Sequence, residues 1–226
     1  LSYIVIMDYH LLGGVNKRLC QTSISVLCSL NKYNNCLKFT YLYNIPTIKI
    51  SRNEISEVSS KRYKYIVTNM ESEADIEKII GIGIKYIGLT MTTKEYIIND
   101  KINKLQSLKY LEIINKYFNH PVDNLPDSLT FLKIVGDSFN QLIVNLPQSL
   151  NILKIYGKFF DQSIDNLPQN LKSLTISGRS FCQPIDNLPR SLKSLRIYGN
   201  SFCHPIDNFP KNLESLTIAG DNFNQQ

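Results

Sequence analysis

Phe118, Phe139, Phe160, Phe181, Phe202 and Phe223 recur with a 21-residue period. In step with them run Asn124, Asn145, Asn166, Asn187 and Asn208, then Leu125, Leu146, Leu167, Leu188 and Phe209, then Pro126, Pro147, Pro168, Pro189 and Pro210. Each unit then reads L-x-x-L-x-I and closes on Gly, as in Leu171-Lys172-Ser173-Leu174-Thr175-Ile176-Ser177-Gly178. A period of this length and fidelity constrains the fold more than any bulk property, because equivalent units take one conformation and stack.

The residue types dictate that conformation. Apolar positions alternate around Leu174-Thr175-Ile176, the period of a half-buried strand. Pro168 fixes its own φ and pushes Leu167 towards extended geometry, and Gly178 is expected to end the strand in a turn with φ > 0. About a dozen residues return the chain to the next strand, too few for an ordinary helix with two loops. The convex side is therefore expected to be extended or 3-10-like.

One unit cannot stand alone. In the third, Phe160, Ile164, Leu167, Leu171, Leu174 and Ile176 are worth roughly 1.5–3 kcal/mol each when buried, whereas ordering its 21 backbone units costs on the order of 20–40 kcal/mol. Neighbouring coils must share burial and strand hydrogen bonds. The expected fold is a leucine-rich-repeat-like α/β solenoid, with a parallel β-sheet on its concave face and about 4.8 Å per coil. The Phe column is expected to form a core spine, and the Asn column a core-facing amide ladder satisfied by loop backbone groups.

The array extends backwards in degenerate form. Leu108-Lys109-Tyr110-Leu111-Glu112-Ile113 sits one full period before Leu129 to Ile134, and Ile84-Lys85-Tyr86-Ile87-Gly88-Leu89 repeats the pattern at a slightly longer interval before that. Ile45 to Ile50 and Tyr63 to Thr68 are weaker copies. Ser72 to Ile80 and Thr92 to Leu105 read as helices, the second with Thr92 and Glu95 at capping-box spacing. Three regions result: 1–33, a helical F-box-like segment or cap; 34–117, irregular degenerate coils; and 118–226, five 21-residue repeats with the start of a sixth at Phe223.

Charge and cysteine usage narrow the partners. Residues 118–226 hold 9 Lys+Arg against 9 Asp+Glu, so the neutral array is a poor track for nucleic acid. The excess of 16 over 10 in residues 1–117 is scattered apart from Lys61-Arg62-Tyr63-Lys64, read as a solvated edge. No stretch reaches the roughly 18–20 apolar residues of a membrane span. The five cysteines, Cys20, Cys28, Cys36, Cys182 and Cys203, lack zinc-site spacing and are expected to be reduced and buried. No Asn-x-Ser/Thr acceptor is present, which leans towards a cytoplasmic protein.

Catalytic chemistry is sparse. His120 and His204 occupy the repeat position held elsewhere by Gln141, Gln162 and Gln183, so they read as loop variants, as does Cys203 beside His204. Asp123, Asp165, Asp186 and Asp207 form a column interrupted by Val144, read as solvated or turn-capping. Gly81-Ile82-Gly83 precedes a strand, the wrong context for a dinucleotide loop. A non-enzymatic protein without metal or cofactor is expected.

Binding is expected on the concave face, at the strand positions flanking the inward Leu and Ile: Phe131, Lys133, Val135, Ile152, Lys154, Tyr156, Thr175, Arg196, Tyr198 and Thr217. Scaffold columns barely change from unit to unit, whereas these vary in size and charge, as a tailored recognition surface requires. Tyr156, Tyr198 and Arg196 are the expected anchors.

Phe181-Cys182-Gln183-Pro184-Ile185-Asp186-Asn187-Leu188-Pro189, its copy from Phe202 to Pro210, and the S-L-K-S-L-x-I-x-G that follows Pro189 resemble the FNIP repeat family, a relative of leucine-rich repeats. The resemblance covers residues 118–226 and implies a curved solenoid used for protein contacts, typical of social amoebae and the giant viruses that infect them. Leu1-Ser2-Tyr3-Ile4, Asp8-Tyr9-His10-Leu11-Leu12 and Val15-Asn16-Lys17-Arg18 resemble the later part of an F-box, although Leu19 stands where that motif has an aromatic and the sequence starts, at Leu1 without Met, after the place of the motif's usual Leu-Pro opening. This second resemblance implies docking on the adaptor of a cullin–RING ubiquitin ligase through Tyr3, Ile4, Leu11, Leu12 and Val15. The expected function is substrate recognition in such a ligase. A scaffold without ligase coupling is the alternative, and an enzyme or carbohydrate binder using the concave groove a distant third.

Overall fold

The structure, a computed structural model, describes residues 40–42, 45–51, 64–70, 73–82, 87–91, 100–205 and 208–220. Segment 1–33 with Tyr3, Ile4, Leu11, Leu12 and Val15, the cysteines Cys20, Cys28 and Cys36, the cluster Lys61-Arg62-Tyr63 and the Thr92–Glu95 capping box lie outside the described residues. The chain divides into compact units Leu1–Phe39 and Thr40–Gln226, and every element below belongs to the second.

Strands β1 (Thr40–Leu42), β2 (Ile45–Ser51) and β3 (Lys64–Met70) are followed by helix α1 (Glu73–Ile82), β4 (Ile87–Met91) and the one-turn helix α2 (Asp100–Asn103). Then come β5 (Leu108–Ile114), β6 (Phe131–Val135), β7 (Ile152–Tyr156), β8 (Ser173–Ser177), β9 (Ser194–Tyr198) and β10 (Ser215–Ala219). All ten described strands form one sheet in chain order. β1 pairs antiparallel with β2, and every later pair is parallel, so the second unit carries the parallel-sheet solenoid the period predicts. Both described helices lie between strands of the irregular part, with Ile76, Ile79 and Ile102 at most 2% exposed.

The period becomes a register. Leu132 pairs with Leu153, Leu153 with Leu174, Leu174 with Leu195 and Leu195 with Leu216, while Ile134, Ile155, Ile176, Ile197 and Ile218 run in parallel. Beneath them the rings of Phe118, Phe139, Phe160, Phe181 and Phe202 stack with centroids 5.7, 5.7, 6.0 and 6.2 Å apart. The last four of these side chains have no exposed surface. At the degenerate end the pairing departs from expectation. Matching Ile84–Leu89 to Leu108–Ile113 by sequence puts Ile87 beside Leu111, whereas the structure pairs Leu89 with Leu111 and Met91 with Ile113. An irregularity between Ile87 and Gly88 absorbs the difference, and Leu89 and Met91, 0% and 3% exposed, supply the inward pair.

The return side is extended, and its 3-10 character is reduced to isolated turns. One turn is closed by Leu171 N–H to the Pro168 carbonyl and the other by Phe181 N–H to the Gly178 carbonyl, with the equivalents repeated from coil to coil. Proline at the first turn therefore contributes both a fixed φ and an acceptor.

Two expectations about the scaffold columns are corrected. The strand-ending glycines do not serve a left-handed turn: none of Gly136, Gly157, Gly178, Gly199 and Gly220 has φ in the positive region. They are small because the preceding coil is close, and a Cβ on Gly178 would lie 2.6 Å from the Gly157 carbonyl oxygen. The one positive φ on a non-glycine among the described residues is 55°, at Asn145. The Asn column does not face the core either. Asn124, Asn145, Asn166, Asn187 and Asn208 are all exposed; at Asn166 and Asn187 the chain turns outward between the buried Ile and Leu that flank the Asp-Asn pair.

The amide ladder stands one step after the spine instead. Asn119 Oδ1 accepts Asn140 N–H, Asn140 Oδ1 accepts Asp161 N–H, and Asp161 Oδ1 accepts Cys182 N–H, each at 2.9 Å. The neighbouring Gln141, Gln162 and Gln183 donate to the same three acceptors. A second ladder follows each proline: Ser128, Asn170, Ser191 and Asn212 donate to the carbonyls of Leu108, Gln148, Leu171 and Arg190 in the preceding coil.

Candidate functional site

Alternation along each strand turns one set of side chains inward and the other out. The outward set forms three columns across β5 to β10. The first reads Tyr110, Phe131, Ile152, Ser173, Ser194, Ser215; the second Glu112, Lys133, Lys154, Thr175, Arg196, Thr217; the third Ile114, Val135, Tyr156, Ser177, Tyr198, Ala219. All ten positions expected to bind from the sequence lie on this face.

The face has two characters. On β5 to β7 large side chains are interlocked. Tyr110 and Phe131 stack at 4.4 Å with planes 10° apart, and the Tyr110 hydroxyl donates to Glu112 Oε2 at 2.9 Å. Glu112 also pairs with Lys133. Lys133 Nζ lies 5.8 Å from the Tyr156 ring centroid and Lys154 Nζ lies 5.7 Å from that of Phe131. Burial, reinforced by the Glu112 charge and the hydrogen bond to it, pushes the Tyr110 phenol well above the usual tyrosine range. On β8 to β10 the side chains are small apart from Arg196 and Tyr198, both of which stand exposed.

Lys154 and Arg196 occupy one column on either side of Thr175, and Thr175 is only 4% exposed between them. Thr175 therefore offers little surface to a partner. Neither cation meets a carboxylate among the described residues. They are two strand spacings apart, about 10 Å.

Three members of the face, Tyr110, Glu112 and Ile114, were not among the positions singled out from the sequence. The signal was present: Leu108–Ile113 already aligned one period before Leu129–Ile134. Extending the outward columns through that alignment reaches all three. The phenylalanine that defines the regular units begins one coil too late to include them.

The thiols of the repeats are also placed differently from expectation. Cys182 is half-buried and Cys203 exposed, because each follows a spine phenylalanine and points away from it. His204 takes the ladder position of Gln183, with Nε2 3.1 Å from the Cys182 carbonyl oxygen, as its reading as a loop variant implies. Among the described residues no helix is long and apolar enough to cross a membrane.

The family model described as FNIP Repeat matches residues 118–158 and again residues 160–200. No curated protein matches the chain. Each family match begins at a spine phenylalanine and spans nearly two periods, so one match covers a pair of structural coils. Residues 118–200 are thus tandem FNIP repeats, forming part of a repeat-protein scaffold.

Proposed function

We propose that the outer face of the sheet recognises a protein segment bearing acidic side chains, and that the chain acts by binding in the cytoplasm, without catalysis. The observation carrying this reading is the contrast between columns. Inward positions repeat Leu, Ile and Phe, whereas outward positions at the same register change from Phe to Ser and from Lys to Thr to Arg. Packing alone imposes no such variation. Lys154 and Arg196 supply complementary charge for the acidic segment, and Tyr156 and Tyr198 supply rigid aromatic contact beside them.

The finer reading is that segment 1–33 docks on a cullin–RING ligase adaptor, so that the repeats present a captured protein for ubiquitin transfer. Its support is the F-box-like run through Tyr3, Ile4, Leu11, Leu12 and Val15. Affinity capture tests both parts. The chain with and without residues 1–33 is probed for the adaptor, and failure of both forms to retain it removes the ligase reading. Proteins held by the wild type are then compared with those held by Tyr156→Ala/Tyr198→Ala and by Lys154→Glu/Arg196→Glu. Both double variants should lose the partner while melting within a few degrees of the wild type. Full retention by both would refute the outer face as the binding surface.

A further inference from the structure

The amide ladder beside the spine changes chemistry at one place. The column reads Asn119, Asn140, Asp161, Cys182, Cys203, and its first three side chains each accept the N–H of the next coil. At the next rung the acceptor is a thiol, a weak one: the Cys203 backbone N–H bonds to the Cys182 sulfur, and the two sulfurs also come together, with Cys182 Sγ 2.8 Å from Cys203 Sγ. Adjacent rungs of a parallel stack are about 4.8 Å apart, inside the roughly 4.4–6.8 Å Cα separation that a disulfide spans. Two cysteines a whole period apart in sequence, which no local spacing rule pairs, are thus neighbours with the reach of a covalent bond.

We propose that Cys182 and Cys203 form a reversible oxidation site, closing into a disulfide that clamps two successive coils when the protein meets a small-molecule disulfide such as oxidised glutathione. Both groups are reachable, since Cys203 is exposed and Cys182 half-buried. Cys203, the more exposed of the two, is the entering nucleophile, and the hydrogen bond with Cys203 is the first cause holding the Cys182 thiol above its ordinary range. The Cys203 thiolate attacks one sulfur of the reagent, forming a mixed disulfide and expelling one glutathione thiolate. Cys182 then gives up its proton to solvent and attacks the Cys203 sulfur, expelling the second glutathione. Two cysteine thiols are oxidised and one reagent disulfide is reduced to two thiols. Reversibility suits a reducing compartment, where such bonds are transient and redox-sensing.

Peptide mapping reads the bond directly. Arg179, Arg190, Arg196 and Lys211 place the two cysteines in separate tryptic peptides, 180–190 and 197–211. The full reduced chain is treated with oxidised glutathione, its remaining thiols are alkylated, and it is digested without reductant. The expected product is peptide 180–190 joined to 197–211 within one molecule. Cys182→Ser should instead accumulate glutathione on Cys203. The oxidised wild type should melt higher than the reduced form, by about 6–12 °C on the loop-closure view, and Cys182→Ser should show no such rise. Separate glutathione adducts on both cysteines, links to other cysteines, or equal melting of the two forms would overturn the clamp. So would tightly held zinc that blocks oxidation until chelated, because His204 lies with both sulfurs inside 4.8 Å.

Discussion

Gly178 and Gly199 hold the same position in successive coils, yet a methyl group should be costly at one and tolerated at the other. Neither has a positive φ, so in both cases Ala narrows the unfolded ensemble, a gain of about 0.4–1 kcal/mol where the side chain fits. At Gly199 the nearest atoms to a new Cβ are the carbonyl oxygens of Gly178 and Phe181, both at 3.3 Å. That contact is tight, and it offsets the gain to leave Gly199→Ala near neutral. At Gly178 the Cβ falls 2.6 Å from the Gly157 carbonyl oxygen. That oxygen is not free to swing aside, because it accepts the Phe160 N–H at 3.1 Å. The two coils must part, at a cost of about 1–3 kcal/mol. Gly178→Ala should therefore melt about 4–8 °C below Gly199→Ala, taking a difference of about 2 kcal/mol. Thermal unfolding followed by circular dichroism measures it. Equal melting of the two variants, or Gly199→Ala melting lower, would refute close approach as the reason for glycine.

Other outcomes follow from the same geometry. Phe160→Ala removes a ring with no exposure from the stacked spine and should lose about 3–5 kcal/mol in denaturant unfolding, whereas Phe159→Ala, at a site 50% exposed, should change stability by less than about 1 kcal/mol. Asn140→Ala deprives Asp161 N–H and Gln162 of their acceptor and should cost about 1 kcal/mol. Asn166→Ala, in the exposed column, should be close to neutral by the same melt. Tyr110 is held protonated in the folded chain, so its contribution to stability is full below the ordinary tyrosine pKa of about 10 and is lost as pH rises above it. Denaturant melts from about pH 8 to 11 should show that decline, and Tyr110→Phe should flatten part of it.

The regular half of the fold was legible because a repeat makes every inference testable within the chain itself. A strand inferred at Leu174-Thr175-Ile176 had to hold at the equivalent positions one period to either side, and it does. What escaped were features that residue type does not encode. Asn166 and Asn140 are the same residue, and only the path of the backbone decides that the second forms the ladder while the first meets water. Glycine is compatible with a positive φ and with crowding, and nothing in Gly178 alone distinguishes them. The offset of β4 was hidden for a different reason: Ile87, Leu89 and Met91 are all apolar at alternate positions, so a shift of one alternation preserves the pattern. For the outer face, alternation located the ten candidate positions, but the burial of Thr175 depends on the long side chains of its neighbours across the strands.

Because spine rings stack one on the next from coil to coil, the length of the repeat array behaves as a countable quantity. Excising residues 160–180 would bring Phe181 into the place of Phe160 against Phe139, with the same faces touching at the new junction. On the outer surface, the two cations of Lys154 and Arg196 would then draw closer by one step of about 4.8 Å. The spacing between groups on the outer face can thus be edited in whole increments, like marks on a ruler, by gain or loss of a single unit and without redesign of the interior.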